Sequence, residues 1–102
     1  MHFEWDEDKR RAVFEERGVD LLDAALIFEG SVVTKVDARR DYGEKRYLSI
    51  GEADGVIYAV VHTRRREAIR LITAWTVGRR DRERYKASLA ERPSRDEGQA
   101  GD

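Results

Sequence analysis

Arginine crowds one stretch of this sequence more densely than folding alone requires. Residues 60–75 read VVHTRRREAIRLITAW, with Arg64, Arg65 and Arg66 consecutive and Arg70 inside the apolar run that follows. A guanidinium is costly to bury, so a strand that carries one must expose it, pair it or use it. Its planar fork also suits bidentate contact with a phosphate. The cations therefore read either as a solvated hairpin tip or as the rim of a site for a polyanion such as RNA. His62 precedes them and, apart from the distant His2, is the one side chain whose unperturbed pKa lies near neutrality. It is a candidate proton carrier or RNA contact, or else a structural histidine. Trp75 closes the run, placed either to stack on a base or to close the core. Arg79 and Arg80 open the next segment; at a helix start cations oppose the dipole, which points to an anionic partner.

Other chemistries are excluded early. The 102 residues include no cysteine and two histidines, His2 and His62, far apart in sequence. No thiol nucleophile, disulfide framework or local metal-ligand motif is available, and neither a metal nor another cofactor is expected. No stretch approaches the roughly 18 apolar residues that cross a bilayer, and MHFEWDEDKRR is unlike a signal peptide. A soluble, cytoplasmic protein is the expectation. Net charge is −1 although 40% of residues are charged. Acidic residues gather near the N-terminus and in the tail, and basic ones at 64–70 and 78–86. Segregation of this kind can bind a polyanion without a high pI, or can reflect solvated faces.

The elements that must position these residues follow from periodicity. FEWDEDKRRAVFEERG has helical spacing, with Asp6 as N-cap, Gly18 as stop, and Trp5 and Phe14 as core residues. VDLLDAALIFEG predicts a second helix capped by Asp20 and ended by Gly30, with Phe28 in the core. SVVTKV, RYLSIG, VIYAVVHT and IRLITAW read as four strands, joined by the polar loop DARRDYGEK and the turns GEADG and RRREA. Short turns imply an antiparallel meander. GRRDRERYKASLAE predicts a third helix resting on Tyr85 and Leu89. The expected fold is α+β: two N-terminal helices, a four-stranded antiparallel sheet and a C-terminal helix. Residues 1–90 form the expected single domain, and 91–102 have the composition of a disordered tail.

Four stretches together resemble a known family. FEWDEDKRRAVFEERGV, DYGEKRYLSIG, VVHTRRREAIRLITA and RRDRERY are similar, in order and at compatible spacing, to the BrnT toxins of type II toxin–antitoxin systems. The resemblance spans about residues 3 to 86. It implies a fold related to the RelE-like ribonucleases and an endoribonuclease that arrests growth. It also implies a cognate ribbon-helix-helix antitoxin, assembly as a heterotetramer, and contact with promoter DNA only through that antitoxin. One departure stands out. Where the family usually reads ISAR, this chain has Ile72, Thr73, Ala74 and Trp75, so tryptophan replaces an arginine. Val77 and Gly78 then stand in place of Ala-Thr, and Asp81 in place of a common glutamate.

Cleavage of RNA by its own 2′-hydroxyl needs a base, cations around the crowded phosphorane and an acid for the leaving oxygen. The resemblance implies that arginine, lysine and glutamate manage this without a metal. Glu44, Lys45 and Arg46 match the family's YGExR stretch, with Glu44 as base or orienting group and Arg46 as phosphate clamp. Glu67 is the other candidate base. Arg64 and Arg70 are expected to aim at one phosphate across the hairpin, with Arg65 and Arg66 at the rim. The catalytic candidates are thus Glu44, Arg46, Arg64 and Arg70, and the RNA-binding candidates Lys45, His62, Trp75, Arg79 and Arg80. The alternatives are a catalytically weakened homologue kept as an antitoxin-binding co-repressor, and a charged protein-interaction domain with no RNA role.

Overall fold

A computed structural model describes residues 1–38, 41 and 43–91. Arg39, Arg40 and Tyr42 of the expected polar loop, and residues 92–102 of the expected tail, lie outside the described residues.

The chain opens with a short strand, β1 (His2–Glu4), where the sequence predicted the approach to a helix. Asp6 then accepts hydrogen bonds from the Asp8 and Lys9 amides and caps α1 (Glu7–Arg17). Glu7 and Asp8 in its first turn and Arg17 in its last complement the helix dipole. Gly18, at φ 71°, ends it in the left-handed conformation that glycine adopts without cost, donating its N–H to Phe14 O. Val13 is the residue α1 buries, and Phe14 is 57% exposed, contrary to its expected place in the core. One residue on is about 100° round the helix, which turns Phe14 away from the sheet.

Asp20 caps α2 (Leu21–Ala24) through the Leu22 amide. The expected second helix is this single turn, continued as a 3₁₀ segment from Ala25 to Glu29. The segment brings Ile27 so close to Gly51 that a Cβ built on that glycine would stand 2.8 Å from the Ile27 Cβ.

Strands β2 (Val32–Val36), β3 (Tyr47–Ala53), β4 (Val56–Arg65) and β5 (Ala68–Thr76) form the expected antiparallel meander. Asp54 and Gly55, both with positive φ, make the two-residue turn between β3 and β4. The sheet is five-stranded and mixed rather than four-stranded and antiparallel. Its order is β1-β5-β4-β3-β2, with β1 parallel to β5 (His2↔Ala68, Glu4↔Arg70). Three residues are too few to show strand alternation in sequence; the ladder with β5 defines this strand.

One sheet face carries the core, in which Val13, Val19, Leu21, Ala24, Ala25 and Ile27 pack on Val60, Ile69, Leu71 and Ala74. On the other face lies α3 (Arg79–Glu91), anchored by buried Tyr85, whose hydroxyl donates to Ser31 O at 2.9 Å. No helix among the described residues is long and apolar enough to cross a membrane.

Candidate functional site

The pleat sends alternate side chains to opposite faces, so the registers sort the candidate residues. On the face that carries α3, cross-strand neighbours form rows. One row is Val33, Ile50, Ala59 and Trp75; the next is Lys35, Leu48, Val61 and Thr73. The ladder then continues to Thr63, Arg70 and Glu4. Arg46 joins this last row, one residue before the Tyr47↔His62 pair. Its carbonyl accepts from the Asp37 amide at 2.8 Å, and the Thr63 hydroxyl donates to Lys45 O at 2.7 Å. Those two bonds tie the loop that carries Glu44, Lys45 and Arg46 to the sheet.

Arg46 and Arg70 therefore share a face with Thr63 between them, their backbones two strands or about 10 Å apart. Each guanidinium has a carboxylate beside it. Arg46 Nε lies 3.4 Å from Glu44 Oε2, and Arg70 Nη1 lies 3.6 Å from Glu4 Oε1. Both arginine side chains are about three-quarters covered, at 24% and 28% exposure, which limits the rotamers available to them. Arginines held in this way, in a partly dehydrated row, present N–H donors of the kind that bind a phosphate, against the charge of the two carboxylates beside them.

Arg64 is not part of that row. It pairs with Ile69, a core residue of the face that carries α1 and α2, whereas Arg70 pairs with Thr63. The expected convergence of Arg64 and Arg70 on one phosphate is corrected: the two project from opposite faces. The turn between β4 and β5 is only Arg66 and Glu67, so the strands run on through Arg65 and from Ala68, and this parity decides the matter. Glu67 lines a cleft of about 1010 Å³ with His2, Glu4, Arg65 and Arg66, and Glu44 is not part of its lining. His2, distant in sequence, is brought beside the arginine turn by the β1–β5 ladder.

His62 is corrected as an RNA contact. It is 5% exposed, hydrogen-bonded through Nε2 to Ser49 Oγ at 2.8 Å, stacked on Tyr47 and edge-on to Phe28. Burial, reinforced by the Arg64 charge, pulls its pKa down to about 4, so the ring is neutral at pH 7.

Trp75 is half-buried in the row nearest α3, with the Arg17 guanidinium 5.2 Å from its ring centroid. Lys45 is exposed beside Arg46, and Arg79 and Arg80 are exposed at the start of α3, beyond the opposite end of β5 from Arg70. Among the described residues no three His, Asp or Glu side chains come together as a metal site. Glu4, Thr63 and Arg17 were missed as site residues by sequence reasoning. Their relevance arises from registers and contacts between distant segments, and no local pattern carries it.

A family model described as "Ribonuclease toxin, BrnT, of type II toxin-antitoxin system" matches residues 5–81. The chain belongs to the BrnT family. That match runs from Trp5 through Asp81 and so includes Glu44, Arg46, Thr63, Arg70 and Trp75, while Glu4 lies just before it. Membership in BrnT brings with it RNA as target and an antitoxin as partner. A search of the curated proteins found no match.

Proposed function

We propose that this BrnT-family chain is a metal-independent endoribonuclease whose action in the cytoplasm arrests growth until a cognate antitoxin covers the site. The observation that carries the reading is the row Arg46–Thr63–Arg70, two half-buried arginines on either side of a buried threonine on the face opposite the main core, flanked by Glu44 and Glu4. The two guanidiniums hold the scissile phosphate and neutralise charge as the phosphorane forms. Glu44 takes the proton of the 2′-hydroxyl, whose oxygen bonds to phosphorus. The bond to the 5′-oxygen breaks, and the leaving oxygen takes a proton from exposed Lys45. The products are a 2′,3′-cyclic phosphate and a 5′-hydroxyl. Arg64 meets the RNA backbone where it passes the sheet end on the side of α1 and α2, and Trp75, Arg79 and Arg80 contact flanking nucleotides. The antitoxin is a ribbon-helix-helix protein that forms a heterotetramer with the toxin and makes the DNA contacts of the pair. Residues 1–90 suffice, so a chain ending at Glu91 retains activity.

A second reading is supported by Trp75, which stands where the family usually carries arginine: a weakened toxin kept as an antitoxin-binding co-repressor. The Arg17 guanidinium over the Trp75 ring favours the first reading, because it keeps a cation at that corner.

The test is cleavage of a mixed RNA by purified protein in EDTA. Wild type is expected to leave 2′,3′-cyclic phosphate ends, and Arg70→Ala, checked for folding, to lose about 100-fold or more in rate. No cleavage by a preparation that still binds its antitoxin tightly would favour the second reading. Recovery of cleavage in Trp75→Arg would then locate the defect.

A further inference from the structure

Leu48, Ile50, Ala59 and Trp75, from three adjacent strands, floor a cleft of about 240 Å³ beneath α3. Asp81, Arg84 and Ser88 form its helical wall. Their spacing of three and four residues puts them on one stripe of α3. The side chains of Asp81 and Arg84 enter no hydrogen bond or ion pair among the described residues. An apolar, aromatic floor under a few convergent and unengaged polar groups is the usual make-up of a small-ligand site. The volume suits one planar ring system and is too small for a folded segment.

The cleft approaches the arginine row along β3. Leu48 is two residues along β3 from Arg46, and the Trp75 row lies about 13 Å, or two pleat repeats, from the Thr63–Arg70 row. A phosphate held between Arg46 and Arg70 thus places a neighbouring nucleotide within reach of the cleft. Arg17, over the Trp75 ring, and Lys35, at the cleft wall, add cations where the next phosphates would pass.

We propose that this cleft is a nucleobase pocket that selects guanine beside the cleaved bond, with Trp75 as the stacking surface and Asp81 and Arg84 as readers. Asp81 offers paired acceptors, and guanine alone among the four bases presents two adjacent donors, N1–H and N2–H, on one edge. Arg84 donates to the acceptors O6 and N7. The inference rests on RNA being the ligand of this face, and its test separates the two.

The probes are 5′-fluorescein-labelled 2′-O-methyl pentanucleotides, which lack the attacking hydroxyl: UUGUU, UUAUU, UUCUU and UUUUU, titrated by anisotropy. Wild type is expected to bind UUGUU at least tenfold more tightly than UUUUU. Asp81→Asn, an exposed substitution, removes that preference and leaves UUUUU within about twofold. Trp75→Phe weakens all four severalfold, and Arg70→Ala weakens all four without altering their order. Equal binding of the four by wild type, or a preference untouched by Asp81→Asn, overturns the pocket. Cleavage of the unmodified versions is read separately. A base-selective protein that cuts nothing keeps the pocket and removes the ribonuclease reading; an active, unselective one does the reverse.

Discussion

Ser49 Oγ and His62 Nε2 stand 2.8 Å apart inside the sheet, and Thr34 Oγ1 lies 2.6 Å beyond Ser49, so a hydrogen-bond chain joins β2, β3 and β4. His62 Nδ1 is buried with no partner. An orphaned N–H is rarer in proteins than an under-satisfied acceptor, which places the proton on Nε2, donating to Ser49. The folded pKa, pulled to about 4, lies below the unfolded value near 6.5. Above pH 6.5 the ring is neutral in both states and costs nothing. Between pH 6.5 and 4 the unfolded state gains a proton that the folded state refuses, and stability falls by roughly 2–3 kcal/mol. Urea denaturation from pH 7 to 4 is expected to show that loss, and His62→Gln to remove most of its pH dependence.

The Arg70–Glu4 pair predicts a different response. At 3.6 Å and with both side chains partly exposed, it adds little to stability, so Glu4→Gln is expected to shift the unfolding free energy by less than about 0.5 kcal/mol. The same change removes a negative charge beside the proposed phosphate seat. Binding of 2′-O-methyl RNA is expected to tighten about two- to fivefold, and the gain to shrink as salt is raised. Weaker binding in Glu4→Gln would mean that the carboxylate acts by holding Arg70 in place.

Gly51 is held by packing. An added Cβ would meet the Ile27 Cβ at 2.8 Å and the Val32 Cγ1 at 2.9 Å, and neither belongs to the loose end of a long side chain. Gly51→Ala is expected to destabilise by about 1–3 kcal/mol in thermal or urea unfolding, by forcing the 3₁₀ segment off the sheet.

Arg66 sits in the two-residue turn at φ 57°, a conformation that side chains other than glycine, asparagine and aspartate seldom adopt. Arg66→Gly relieves about 1–2 kcal/mol of strain against an unfolded-state entropy cost of about 0.5–1 kcal/mol. A net gain of about 0.5–1 kcal/mol in urea denaturation is expected. Cleavage is expected to change less than threefold, since Arg66 lies outside the arginine row.

Residue type alone determined the parts of this protein that depend on near neighbours. Asp6 and Asp20 cap helices, and Gly18 stops one, because each choice is settled by hydrogen bonds and φ values within four residues. The meander β3 to β5 was legible for the same reason: β-branched runs are separated by turns too short to allow any other pairing. Arg46 and Arg70 stood out as cations at strand positions, and the registers put them on one face. Register and long-range contact decided the rest. A two-residue turn at Arg66 and Glu67, where the sequence suggested five residues, puts Arg64 and Arg70 on opposite faces. A bulge opposite the Val61–His62 step leaves Ile72 unpaired and shifts the alternation of β5, which sends Leu71 to the core and Arg70 to the other face. The edge place of β1, and with it the partnership of Glu4 and Arg70, joins segments more than sixty residues apart. A pleat exchanges faces with every residue of shift, so which side chains meet across a sheet is a property of the assembled ladder.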